Sequence, residues 1–193
     1  MQARLAATDL ACRRGDRLLF RGLSFECDAG EALHIAGANG IGKSSLLRIL
    51  AGLLRPLAGS VLHEGGIGLV DERLAMDENL PLGRALAFWE HIDGCRDPGR
   101  AFEVLDLASL MEVPVRYLST GQRKRAALAR LLNRNCPIWL LDEPLNGLDT
   151  QAQKAFEALV LGHCDGGGIA VVASHQGFAL PSPRTIELAE YAA

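Results

Sequence analysis

Residues 37–44 read Gly-Ala-Asn-Gly-Ile-Gly-Lys-Ser. Glycines at the first, fourth and sixth places let successive backbone N–H groups curl around an anion, since glycine reaches the needed backbone angles without steric cost. The spacing is G-x-x-x-x-G-K-S, in which Lys43 bridges the β- and γ-phosphates of a nucleotide and the Ser44 hydroxyl coordinates Mg2+. Upstream, Ala32 to Gly37 is an apolar run of strand length. Downstream, Leu46, Leu47, Ile49, Leu50, Leu53 and Leu54 recur at helical spacing with one buried face, and Pro56 and Gly59 are expected to end that helix. Strand, glycine loop and helix together open an α/β nucleotide-binding unit, whose helix turns its positive end to the phosphates. The expected nucleotide-binding set is Gly37, Ala38, Asn39, Gly40, Ile41, Gly42, Lys43, Ser44 and Ser45.

A second element follows a hundred residues on, at Ile138-Trp139-Leu140-Leu141-Asp142-Glu143. An apolar strand ending in a carboxylate is where a phosphate-loop protein holds Mg2+, so Asp142 joins Ser44 as a metal-side group. Glu143 is placed to polarise an attacking water as general base. A third element is Leu118-Ser119-Thr120-Gly121-Gln122, followed by Arg123, Lys124 and Arg125 on the first turn of a helix expected from about Gln122 to Asn133. Three cations there oppose the helix macrodipole, and either a bound anion or solvent relieves the conflict.

The rest of the chain is consistent with one α/β fold. Leu23, Phe25 and Cys27 alternate with Ser24, Glu26 and Asp28, so the first thirty residues predict short antiparallel strands. Two helical stretches, Leu82 to Ile92 and Arg100 to Leu107, are parted by Asp93, Gly94, Asp97, Pro98 and Gly99 and read as a helical insertion over about 72–118. Asp149 and Thr150 cap a helix with apolar positions Ala152, Ala155, Phe156, Leu159 and Val160. Gly166-Gly167-Gly168 then turns into a β-branched strand, Ile169 to Ala173, with Thr185 to Leu188 as an edge strand.

Composition sets outer bounds. The chain has 193 residues, 49% hydrophobic and 22% charged, with 20 Lys+Arg against 23 Asp+Glu and a net charge of −3. A chain this long buries roughly 70% of its unfolded surface as one domain. Mild acidity argues against a nucleic-acid binder and against a polybasic membrane clamp. No apolar stretch reads as a membrane span or a secretory leader, so the expectation is a cytosolic domain of residues 1–193 that meets a membrane only through a partner. Cys12, Cys27, Cys95, Cys136 and Cys164 show no C-x-x-C spacing and are expected to be free thiols. His163 beside Cys164 is a pair without a second pair at zinc-like spacing, so no structural metal is expected.

Taken together, these residues resemble the nucleotide-binding domains of ATP-binding cassette (ABC) proteins. LSTGQ at 118–122 looks like their signature, Asn146-Gly147-Leu148-Asp149 like their D-loop, and His175 after a strand like their switch histidine. The resemblance implies a phosphate-loop NTPase fold of ABC type with an antiparallel β subdomain and a short helical insertion. It implies ATP and Mg2+ as ligands, and a homodimer in which Ser119, Gly121 and Gln122 contact the γ-phosphate bound by the second copy. Lys43, Glu143 and His175 would be the catalytic groups. Two places depart from the pattern. No Gln occurs between Gly68 and Leu80, where such domains carry one after a strand, and Asp71, Glu72 or Arg73 must take its place. The usual adenine-stacking aromatic is replaced by Cys12-Arg13-Arg14-Gly15. Arg14 can stack through its guanidinium plane or stand as a solvated turn residue.

A narrower resemblance is to the ATP-binding subunits of cytochrome c maturation, a haem-exporter family. It is carried by Cys12 to Gly15, Leu19-Phe20, Gly22 to Phe25, Ala29-Gly30-Glu31, Leu46-Leu47-Arg48, Phe88-Trp89 and Ile138 to Leu141. It implies a peripheral ATPase on the cytoplasmic face of the inner membrane, energising a multi-span membrane subunit in haem export or haem-chaperone release. The competing expectations are a soluble ATP-gated assembly factor without a membrane subunit, and a domain that binds ATP but barely turns it over.

Overall fold

The computed structural model describes residues 3–94, 99–175 and 184–192. Cys95, Asp97 and Pro98 lie outside them. The chain divides into two units, one made of Met1–Asp71, Pro137–Pro144 and Leu159–Ala193, the other of Glu72–Cys136 and Leu145–Ala158.

The first unit holds two sheets. Strands β1 (Arg4–Arg14), β2 (Arg17–Asp28) and β4 (Ala58–Glu64) form an antiparallel sheet in the order β2-β1-β4. Strands β3 (Ala32–Ala36), β5 (Ile67–Val70), β6 (Ile138–Asp142), β7 (Ile169–Ser174) and β8 (Arg184–Glu187) form a parallel sheet in the order β5-β6-β7-β3-β8. Every residue of β6 and β7 is buried, as expected for parallel strands covered on both faces. Leu33, Ile35, Ile138, Leu140, Ile169 and Val171 share one sheet face by period-two alternation and join Leu46, Leu47 and Leu50 of helix α1 (Lys43–Leu50) in the core. Burying each such side chain contributes about 1.5–3 kcal/mol.

Two expectations are corrected here, and one strand carries no signal in the sequence. The opening strands are long, 11 and 12 residues, because register shifts after Ala7, Leu10 and Cys12 interrupt the visible alternation without ending the pairing. Strand β4 has no apolar alternation to announce it: only Val61 is partly buried, since its one partner is β1. Helix α1 stops at Leu50 rather than running to Leu54. Gly52 takes φ 72°, its N–H donates to Ile49 O, and the Leu53 N–H donates to Arg48 O at 2.8 Å, a left-handed glycine cap that outweighs the continuing leucines.

In the same unit, His163 stacks flat on Trp139, with ring centroids 3.8 Å apart, and its Nε2 lies 3.3 Å from Ile169 O. Gly168 makes the room: a Cβ there would overlap the imidazole. Burial lowers the His163 pKa below its ordinary value, and the half-buried ring serves as a packing partner of Trp139. Cys12, Cys27, Cys136 and Cys164 are free and buried, and burial pushes the Cys27 thiol up to about 12.

The second unit carries α2 (Leu82–Asp93), α3 (Gly99–Val104), α4 (Thr120–Arg134) and the first part of α5 (Thr150–Asp165). Helix α3 ends short of the expected Leu107 because Asp106 adopts φ 50°. Trp89 of α2 donates its indole N–H to Ala75 O at 2.6 Å and lies under the Arg130 guanidinium of α4, 3.4 Å from the ring centroid. Asp149 caps α5 as expected, accepting from the Ala152 N–H at 2.9 Å.

Candidate nucleotide site

The loop 37–42 joins β3 to α1 with Gly37, Gly40 and Gly42 all at positive φ. Its tip, Ala38, Asn39 and Gly40, is exposed, as is Ser44 on the first turn of α1, while Ser45 is half-buried. Lys43 is 5% exposed and folds back across the loop, its Nζ donating to Gly37 O at 2.7 Å and Ala38 O at 3.3 Å. The ammonium thereby ties the loop to its own beginning.

The same Nζ lies 3.2 Å from Glu143 Oε1. Glu143 follows β6 in a left-handed backbone, φ 44°, which costs an ordinary residue about 1–2 kcal/mol. Its N–H donates to Ala173 O at 2.8 Å, which prolongs the β6–β7 ladder by one step and offsets that strain. His175, next after β7, donates its backbone N–H to Glu143 Oε1 at 3.2 Å, and its Nδ1 lies 2.9 Å from Oε2. A carboxylate only accepts, so Nδ1 carries the proton. Lys43, Glu143 and His175, brought together from three separate segments of the sequence, therefore form one hydrogen-bonded line. Asp142, 3% exposed, closes β6 beside it. The hydroxyl of Ser44 and the carboxylate of Asp142 are hard oxygen donors of the kind Mg2+ takes.

Arg14 stands exposed at the end of β1, where the Gly15-Asp16 turn reverses the chain. Asp71, directly after β5, accepts from Arg48 of α1 at 2.9 Å. No pattern in the sequence announces this pair, although Arg48 is four residues from Ser44 and so shares its helix face.

Ser119, Gly121 and Gln122 belong to the other unit. Ser119 caps α4 in a reciprocal box: its Oγ accepts from the Gln122 N–H at 3.3 Å, and Gln122 Oε1 accepts from the Ser119 N–H at 2.8 Å. The S-x-x-Q spacing carries that signal. The expected conflict between cations and dipole is met within the chain. Arg123 donates to Leu118 O and Arg116 O, Arg125 reaches Leu105 O and Asp106 Oδ2, and Lys124 is buried. Gly121 touches the turn at Gly147, whose φ is 80°, so closely that a Cβ would strike Gly147 O. Gly121→Ala is therefore expected to destabilise the protein by about 1–3 kcal/mol through overpacking. Denaturant midpoints measure this, and an unchanged midpoint would show that the 146–148 turn yields freely.

A family model described as "ABC transporter" matches residues 20–146. The chain belongs to the ABC transporter family. ATP binding and hydrolysis are this subunit's activity. Among its relatives, the "Cytochrome c biogenesis ATP-binding export protein CcmA" of Novosphingobium aromaticivorans is 59% identical over 191 residues, covering 97% of this chain and 96% of that protein. The protein of the same name from Zymomonas mobilis is 52% identical, covering 99% of this chain and 87% of the relative. An ABC transporter ATP-binding protein from Pyrococcus furiosus superposes with TM-score 0.84 at 22% identity, over 98% of this chain and 100% of that one, a likeness of fold. Among the described residues of the ABC subunit, no helix is long and apolar enough to cross a membrane.

Proposed function

We propose that this chain is the ATP-hydrolysing subunit of an exporter in c-type cytochrome biogenesis. It acts as a homodimer beneath a multi-span membrane subunit, on the cytoplasmic face of the inner membrane, in haem export or haem-chaperone release. The observation that carries the chemistry is the line Lys43–Glu143–His175 behind the glycine loop. The biological setting is supported by the name the relatives carry, which specifies export and so disfavours a soluble assembly factor.

The backbone N–H groups of 38–44 and the Lys43 ammonium hold the phosphates. Ser44 and Asp142 would hold Mg2+, which when bound would neutralise phosphate charge. Glu143 orients the attacking water and accepts its proton, and His175 fixes the carboxylate through Nδ1–H. Ser119, Gly121 and Gln122 complete the site of the second copy, with the exposed Ser119 at a helix N-terminus suited to an anion. Asp71 takes the place of the absent Gln, held by Arg48 on the face of α1 that bears Ser44.

Deletion followed by haem staining of c-type cytochromes tests the reading. Loss of staining, restored by the wild-type chain recovered with membranes, is expected. Unchanged staining removes the cytochrome assignment, and recovery only in the soluble fraction with partner genes intact removes the transport assignment.

A further inference from the structure

A cavity of about 180 Å3 opens within the second unit, where the end of α3, the middle of α4 and the first turns of α5 meet. Its floor is apolar. Leu105, Leu128 and Leu148 are buried there, and Ala152 and Ala155 complete it from α5. Positions 152 and 155 are three apart and share one helix face, so two methyl groups stand where longer side chains would fill the gap. An apolar cavity of about 150 Å3 holds a benzene ring, so this one has room for a small branched alkyl group.

Three charged groups line the same cavity: Arg125, Asp106 and Asp149. Among the described residues Nη1 makes every hydrogen bond of the Arg125 guanidinium, to Leu105 O at 3.3 Å and to Asp106 O and Oδ2 at 3.4 Å, all longer than an ordinary N–H···O bond. The Nε–Nη2 edge is left with two parallel donors, the geometry that takes a carboxylate bidentately. Asp106 is exposed, and Asp149 commits Oδ1 to the Ala152 N–H at 2.9 Å. A carboxylate offers about four lone-pair sites, so both acids keep acceptors to spare. A lone anion in this cavity meets two carboxylates, and a lone cation meets the guanidinium. None of these side chains belongs to the line Lys43–Glu143–His175.

We propose that this cavity is a binding site for a free apolar α-amino acid of about leucine size. The zwitterion answers both signs of charge: its carboxylate takes the Nε–Nη2 edge of Arg125, and its ammonium turns to the aspartates. Its alkyl group covers the leucine and alanine floor and leaves water. Leu148 follows Gly147, whose carbonyl meets Gly121 at the start of α4. An occupant therefore lies behind that contact and braces the 146–149 turn against α4.

Calorimetric titration of the full chain with L-leucine, isocaproate and isopentylamine tests this, because the three share one branched chain and differ only in which charges they carry. Leucine is expected to bind with a Kd at or below about 1 mM and to raise the melting midpoint as its concentration rises. Isocaproate, which lacks the ammonium, and isopentylamine, which lacks the carboxylate, should each bind at least about tenfold more weakly. Arg125→Gln should weaken leucine by about tenfold or more while changing isopentylamine less than about twofold. Ala155→Leu fills the floor and should abolish binding of all three. A midpoint measured without ligand shows that each variant is folded, and if Ala155→Leu is not, Arg125→Gln decides alone. Leucine that gives neither heat nor a midpoint rise at about 10 mM overturns the proposal. So does equal binding of leucine and its two analogues, or a folded variant of either kind that binds leucine as the wild type does.

Discussion

Glu143→Gln is expected to slow ATP hydrolysis by about 10²–10⁴-fold while leaving ATP binding in place. The amide keeps the shape and can still accept from His175 Nδ1–H, now 2.9 Å from Oε2, but it cannot take a proton from water. It also removes the negative charge that faces Lys43 Nζ at 3.2 Å, so the ammonium is left wholly to the phosphates. Binding should therefore hold or strengthen, and an ATP-bound dimer should accumulate on size-exclusion chromatography. Phosphate release measured with the partner subunit present decides the matter. Hydrolysis at the wild-type rate would mean that another group is the base.

Lys43→Ala should cost more than about a hundredfold in ATP affinity, because charge-assisted hydrogen bonds to phosphate are worth about 1.5–3 kcal/mol each and this ammonium can make several. The loss is not confined to the ligand. The same Nζ holds Gly37 O at 2.7 Å and Ala38 O at 3.3 Å, so without it the loop is no longer tied shut. A nearly buried carboxylate, Glu143 at 12% exposure, is left with the His175 ring as its partner. Truncating one member of such a pair is destabilising, so a lower melting temperature should accompany the weaker binding seen by calorimetry. A Kd within about threefold of wild type would refute the assigned role.

The two variants separate functions that share one hydrogen-bonded line. In the proposed reading Lys43 acts on binding and loop shape, Glu143 on the chemical step. ATP turnover falls in both, but only the first should lose nucleotide.

Much of this site was legible before any coordinates, and for local reasons. The loop 37–44 and the strand 138–142 are contiguous motifs whose chemistry depends on neighbours in sequence, and the capping box at Ser119 and Gln122 is a spacing of three. What was not legible depends on distant chain segments meeting. The pair Arg48–Asp71 spans 23 residues, and β4 owes its pairing to β1 rather than to any pattern of its own. The early stop of α1 was misread because Leu53 continues the apolar period, yet it is 70% exposed once Gly52 turns the backbone.

The sequence by itself determined the expectation of phosphate binding, since glycine spacing, Lys43 and a strand ending in Asp-Glu are local conditions of that chemistry. Only the tertiary structure decided which charges answer one another. It set Glu143 between Lys43 and His175, committed His163 to a stack on Trp139, and stood Arg14 opposite Arg17 across the β1–β2 turn. Such pairings come from strand register and from left-handed turns at single residues, and a shift of one residue would turn each side chain to the opposite face of its sheet.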